Sequence, residues 1–190
     1  MFSFFQASDY SNFVPQKNVN AFNVRTGQGI MLNLNSGYEA LETHGLRTCV
    51  AFALICPSQE LALLVHFFHP DQIKNNLSNI VKQFLEESKN EPIICHIAGG
   101  RSFFSISEDM CELLKKYVQE HLSGSNLKLR LNAPIIAQDD DTFSLLANLK
   151  TGDSSVYLTQ HISQEEYEVS NDKVDFVNLV SKPQTQINFK

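Results

Sequence analysis

The chain has 190 residues, of which 43% are hydrophobic and 19% charged, a composition typical of one globular domain with a substantial core. The formal net charge of −6 argues against nucleic-acid binding through bulk electrostatics, and no apolar run reaches the length of a membrane span. The four cysteines lack the spacing of a disulfide framework, which favours a reducing compartment. The first residues lack the basic and apolar regions of a secretory signal.

The N-terminal half of the chain predicts three strands. Residues 1–27 are polar with scattered aromatics and are interpreted as an N-terminal arm, and residues 29–34 predict a short strand. Two long apolar runs follow, at residues 49–55 and 61–68, and each is typical of a buried strand. A short loop between these runs would make their strands adjacent, which places Cys49 and His66 in the same region of one sheet. A thiol beside an imidazole is the smallest set of groups that nucleophilic catalysis by cysteine requires.

Two helices are predicted from apolar residues at helical spacing. The first begins at Pro70, with Asp71 as its expected N-cap. The second begins at Ser105, which has the capping-box spacing with Glu108. Between the helices, residues 93–98 predict a strand.

The rest of the chain predicts more strands and then a polar tail. Gly99 and Gly100 are expected to turn the chain sharply after the strand at 93–98. Further strands are expected at residues 127–131, 135–136, 143–149 and 156–158. Because strands outnumber helices, the sequence predicts an α+β or a mixed α/β fold. Residues 28–160 form the expected domain, and residues 161–190 form a polar C-terminal extension with one short apolar patch.

Three segments share the motifs and the spacing of one known family. Thr43 to Val50 reads Thr-His-Gly-Leu-Arg-Thr-Cys-Val and is similar to the family's T-x-G-x-G-S-C-V. Val65 to Pro70 is similar to its H-x-x-L-P, and the interval of 17 residues between Cys49 and His66 (66 − 49) is also similar. Residues 97–104 resemble its strand followed by Gly-Gly. Over its central two-thirds, the chain therefore resembles the CheD family, the chemoreceptor glutamine deamidases of bacterial chemotaxis.

The resemblance implies a fold and an activity. The fold is a sandwich of mixed β-sheets with flanking helices, shared with the catalytic domain of the cytotoxic necrotizing factor toxins. The activity is hydrolysis of a protein glutamine side chain to glutamate through a thioester on Cys49. His66 would lower the pKa of the thiol by ion pairing and protonate the departing ammonia, and Thr43 would orient His66. The substrate and its oxyanion would lie near Arg47, Thr48, Gly99 and Gly100, and neither a metal nor an organic cofactor is needed.

The resemblance also implies partners and a location. The substrate would be a protein that carries the target glutamine, either a chemoreceptor or, for an exported effector, a host protein. A chemotaxis phosphatase-type partner is implied as well, whereas nucleic acid and membrane insertion are not. The implied location is the bacterial cytoplasm, with export as the alternative. Arg47 replaces a family glycine and His69 a family leucine, so a non-catalytic binding module is the alternative function.

Without the family motif, the candidate residues have simpler interpretations. Cys49 would be a small core hydrophobe, His66 a core histidine, and Thr43 a local cap. The Gly99-Gly100 pair lacks the rest of a phosphate-binding loop.

Two other clusters of possible metal ligands are interpreted as structural or solvated residues. Cys95 and His96, taken with His66 and His69, lack the ligand spacing of a structural zinc site. The acidic run at residues 139–141 is interpreted as a solvated loop rather than a cation site.

Overall fold

The computed structural model describes residues 19–101, 104–123, 129–131, 135–137, 142–159 and 185–188. They form two packed β-sheets and two α-helices, which confirms the predicted α+β fold. The strands are β1 (Ala21–Asn23), β2 (Gln28–Asn33), β3 (Ala40–Leu46), β4 (Val50–Cys56), β5 (Leu61–Phe67), β6 (Ile93–Arg101), β7 (Leu129–Leu131), β8 (Ile135–Ala137), β9 (Phe143–Asn148), β10 (Ser154–Leu158) and β11 (Thr185–Asn188). The helices are α1 (Pro70–Glu87) and α2 (Ser105–Tyr117), and neither is long and apolar enough to cross a membrane.

The larger sheet has the strand order β11-β2-β5-β4-β6-β7, and β8 also pairs with β6. The smaller sheet has the order β1-β3-β9-β10. Every residue of β4 and of β5 is buried, because α1 and α2 cover one face of the larger sheet and the smaller sheet covers the other. Double coverage explains why the two apolar runs do not alternate with polar residues.

Two hydrophobic cores separate the three layers. Alternate residues of β4, such as Phe52, pack with the helices in one core, whereas Ala51 and Ala53 pack with the smaller sheet in the other. The second core also contains Leu64 of β5, two residues before His66. His66 therefore projects into the space between the sheets.

Both helices begin differently from the sequence-based expectation. The N-cap of α1 is His69, whose Nδ1 accepts a hydrogen bond from the Asp71 N–H at 3.2 Å, so the assignment of Asp71 as N-cap was wrong. The capping box of α2 was also wrong, because Ser105 is already helical and the N-cap position is occupied by Phe104 without a side-chain bond. At its other end α2 continues as a π-helical turn, Val118–Leu122.

Strand β6 runs through the two glycines that were expected to end it. Gly99 pairs with Val50 of β4, and the strand extends to Arg101. Gly99 and Gly100 have φ values of 91° and 80°, a left-handed conformation that glycine adopts at little cost. The predicted sharp turn is therefore an irregularity inside the strand.

Two short strands come from the segments expected to flank the domain. β1 lies in the N-terminal arm and pairs with β3, and β11 lies in the C-terminal extension and pairs with β2. The domain boundaries at 27/28 and 160/161 stay predictions. The apolar patch at 174–180 and the acidic run at 139–141 lie outside the described residues.

Candidate active site

The thiol and the imidazole lie on the same face of the larger sheet. Ala51 of β4 is directly opposite His66 of β5 in the antiparallel ladder. Cys49 lies two residues before Ala51 and packs, half-buried, against the core between the sheets. Cys49 and His66 are thus diagonal neighbours, a relation that places Cα atoms about 7–8 Å apart and lets long side chains interact.

The third candidate, Thr43, reaches His66 from the other sheet. Thr43 lies on β3 of the smaller sheet, fully buried, with its Oγ1 2.7 Å from His66 Nδ1. The same hydroxyl donates to the Val24 carbonyl oxygen at 2.7 Å. No sequence pattern singled out Val24, which contributes only its backbone carbonyl.

These two hydrogen bonds assign the tautomer of His66. The hydroxyl of Thr43 has one proton, and a carbonyl can only accept, so that proton goes to Val24. Thr43 Oγ1 must then accept from His66, which places the imidazole proton on Nδ1 and leaves a lone pair on Nε2. Among the described residues, the buried Nε2 has no hydrogen-bond partner. The site therefore holds a base whose accepting atom is free.

Burial favours the neutral forms of both groups. Burial, with a smaller contribution from the nearby His44, lowers the pKa of His66 to about 4. Burial also raises the pKa of the Cys49 thiol, although a hydrogen bond with the Thr48 side chain acts in the opposite direction. Burial therefore favours a pair made of a neutral thiol and a neutral imidazole over the expected ion pair in the free protein. In such a pair the imidazole acts as a general base when the thiol attacks.

Gly99 and Gly100 lie against the backbone carbonyl of Cys49. The Gly100 N–H donates to the Cys49 carbonyl oxygen at 2.8 Å. A Cβ atom on Gly99 would lie 2.5 Å from the same oxygen and 2.9 Å from Leu46 Cβ, so only glycine fits there. Arg47, in contrast, is exposed on the loop before Cys49. The structure thus brings all the sequence-predicted site residues to one end of the sheets.

One buried residue near the site was missed by the sequence-based reasoning. The Ser107 hydroxyl donates to the Thr48 carbonyl oxygen at 2.7 Å, which joins the first turn of α2 to the loop before Cys49. No sequence signal pointed to this contact, because the capping-box pattern drew attention to Ser105 instead.

The other histidines near the sheets have structural partners. His44 Nδ1 lies 2.8 Å from Ser144 Oγ, and burial lowers the pKa of His44 to about 4. His96 faces the smaller sheet, with Nε2 2.9 Å from Ser154 Oγ, whereas its neighbour Cys95 packs on the helix side. Because adjacent strand residues face opposite ways, Cys95 and His96 do not converge on one point. In the part of the chain that the structure describes, no group of three metal-ligating side chains occurs.

No family model matches the chain, and none of the curated proteins is similar enough to count as a match. The function is accordingly inferred from the geometry of Cys49, His66 and Thr43.

Proposed function

We propose that the chain is a CheD-like protein-glutamine deamidase, which converts a glutamine side chain of a target protein to glutamate and releases ammonia. The observation that carries the proposal is the buried Nε2 of His66, which has no hydrogen-bond partner among the described residues. Thr43 holds the other ring nitrogen, and the ring lies on the same sheet face as Cys49. A core histidine with only a structural role would have both nitrogens bonded, because an unsatisfied buried acceptor is costly.

In the first step the thiol of Cys49 attacks the carboxamide carbon of the glutamine. His66 Nε2 takes the thiol proton as the sulfur–carbon bond forms, and the carbonyl oxygen becomes an oxyanion. The carbon–nitrogen bond then breaks, and the imidazolium gives its proton to the leaving nitrogen, so that ammonia departs. Thr43 accepts from Nδ1 throughout and keeps Nε2 available for both transfers.

In the second step water hydrolyses the thioester. His66 Nε2 accepts a proton from the water, whose oxygen bonds to the acyl carbon. The carbon–sulfur bond breaks, and the sulfur regains the proton. The products are glutamate in the target protein and the free thiol of Cys49. No step requires a metal or an organic cofactor.

The substrate, in this proposal, is a folded or extended segment of another protein rather than free glutamine. A chemoreceptor in the bacterial cytoplasm and a host protein met after export are the two candidate sources. Arg47, exposed beside the nucleophile, would contact whichever segment presents the glutamine. A phosphatase of the chemotaxis kind is a further candidate partner, and binding to it would be independent of the thiol.

The test compares three forms of the purified chain. Wild type, Cys49→Ser and Cys56→Ser are incubated with a bacterial lysate and with a eukaryotic lysate in water enriched in heavy oxygen. Glutamine-to-glutamate conversion is then mapped by peptide mass spectrometry. Cys56 is a matched control, because it is a buried cysteine at the opposite end of β4.

We expect wild type and Cys56→Ser to convert specific glutamines with incorporation of heavy oxygen, and Cys49→Ser to convert none. Equal conversion by Cys49→Ser would refute the proposal. Absence of conversion in both lysates, with Cys49→Ser binding the same partner as wild type, would instead establish the binding-module alternative.

A further inference from the structure

Two hydrogen bonds from outside the Cys49–His66–Thr43 group hold the backbone at the nucleophile. Ser107, the third residue of α2 and only 1% exposed, donates its hydroxyl proton to the Thr48 carbonyl oxygen at 2.7 Å. On the other side, the Gly100 N–H donates to the Cys49 carbonyl oxygen at 2.8 Å. The peptide planes before and after Cys49 are therefore both fixed.

The first of these planes determines where the Cys49 N–H points. In a trans peptide, a carbonyl and the N–H of the next residue point in opposite directions. Because Ser107 holds the Thr48 carbonyl towards α2, the Cys49 N–H points away from α2. Within the described ranges this N–H donates no hydrogen bond. An unused backbone donor thus lies on the nucleophile itself.

We propose that Ser107 is a positioning residue that aims the Cys49 N–H at the oxygen of the carbonyl under attack. Ser107 acts through the Thr48 carbonyl and touches no reacting atom. It has this role only if Cys49 performs the acyl transfer proposed above. A donor stabilises an oxyanion most when its direction is set before the reaction, since no reorganisation is then needed in the transition state.

Two thiol reagents separate this role from a general effect on the thiol. p-Nitrophenyl acetate acylates Cys49: the sulfur bonds to the ester carbonyl carbon, p-nitrophenolate leaves, and the carbonyl oxygen passes through an oxyanion. Iodoacetamide alkylates Cys49: the sulfur bonds to the methylene carbon, iodide leaves, and no oxyanion forms. The ratio of the two rates at Cys49, measured by peptide mass, therefore reports on oxyanion stabilisation alone.

Ser88 provides a matched control for Ser107. Its side chain is also buried, and its hydroxyl donates to the Leu85 carbonyl oxygen at 3.0 Å, at the end of α1. Ser107→Ala should lower the ratio of acylation to alkylation at least roughly tenfold, since loss of one oxyanion donor costs about 10²–10³ in rate. Ser88→Ala should leave the ratio unchanged. Ser107→Thr, which keeps a hydroxyl, should restore it.

An unchanged ratio in Ser107→Ala would overturn the assignment, and so would failure of wild-type Cys49 to acylate at all. If the alanine variant does not fold, Ser107→Cys keeps the shape of the side chain with a weaker donor and should lower the ratio by a smaller factor. Failure of the proposed function gives a different result: the ratio falls in Ser107→Ala, yet wild type converts no protein glutamine.

Discussion

Replacing Thr43 by valine tests the assigned tautomer of His66, because valine has the shape of threonine without the hydroxyl. The Thr43 side chain is fully buried, so water cannot replace the lost partner. Two groups lose their hydrogen bonds, the Val24 carbonyl and the Nδ1–H of His66. Each orphaned buried group costs about 1–3 kcal/mol, so we expect the free energy of unfolding to fall by about 2–6 kcal/mol. For a chain of this length that corresponds to a decrease of roughly 10 °C in Tm.

The same substitution should lower the rate of glutamine conversion more than the stability loss explains. Without an acceptor at Nδ1, the imidazole proton is free to move to Nε2, which then no longer accepts the thiol proton. Loss of the group that fixes a catalytic histidine tautomer costs up to about 10⁴ in kcat, and we expect a loss of at least about 100-fold here. Urea unfolding measures the loss of stability, and mass spectrometry of the glutamine that wild type converts in the lysate experiment measures the loss of rate.

Two controls complete the experiment. Thr43→Ser keeps the hydroxyl and should retain most of the activity. Ser144→Ala removes a buried hydroxyl that lies 2.8 Å from His44 Nδ1 and 3.1 Å from Thr159 Oγ1, so it should cost comparable stability without a comparable loss of rate. A wild-type rate in Thr43→Val would refute the tautomer assignment, and wild-type stability would refute the paired hydrogen bonds.

Two further predictions concern the backbone and pH. Gly99→Ala should lower the free energy of unfolding by several kcal/mol, because its Cβ would lie 2.5 Å from the Cys49 oxygen. Gly37→Ala is the control, because Gly37 has a similar φ of 83° and no atom lies within 4 Å of the new Cβ. This variant should lose only about 1–2 kcal/mol of unfolding free energy. Equal urea midpoints for the two variants would contradict the predicted clash at Gly99. Stability should also fall as pH decreases from about 6.5 to 4, since the pKa of His66 and of His44 is lowered to about 4 and the unfolded chain binds protons first. The loss in the free energy of unfolding is on the order of 3 kcal/mol for each histidine. If the urea midpoint of a His66→Gln variant falls with decreasing pH as steeply as that of wild type, protonation of His66 is not the cause.

The sequence predicted the strands and helices that have strong hydrophobic patterns. β4 and β5 were found because burial on both faces leaves an unbroken apolar run, and α1 was found because Ile73, Leu77 and Phe84 recur on one buried face. The predicted N-caps were wrong because capping requires a side chain just before the helix that can hydrogen-bond to a backbone N–H of the first turn. His69 is free to do so, whereas the Ser105 position is already inside the helix.

Hydrophobic periodicity could not predict which strands pair when they are far apart in the chain. β1 and β11 are three and four residues long, and their pairing with β3 and β2 depends on partners far away in the chain. The division of the strands into two sheets was likewise implied by the family resemblance and not by the pattern of any segment. A short strand has too few side chains to show which face it buries.

The sequence named Thr43, Cys49 and His66 as candidate site residues but did not reveal the effect of burial on their pKa values. The spacing of Thr43, Cys49 and His66 matched a family motif, and the structure places Thr43 on His66. Burial, which the spacing does not reveal, shifts both pKa values towards the neutral forms and so opposes the expected ion pair. Ser107 was missed for a related reason, since its contact with Thr48 joins residues 59 positions apart.

Thr43 belongs to one sheet and His66 to the other, and Cys49 directly precedes β4 of the sheet that contains His66. The Thr43–His66 hydrogen bond is therefore complete only after the two sheets have docked. A partly folded chain, whether newly synthesised or unfolded for transport, would carry the thiol without an oriented imidazole. Under the proposed function, such a chain would not deamidate a neighbouring protein, because the imidazole would not yet be oriented by Thr43.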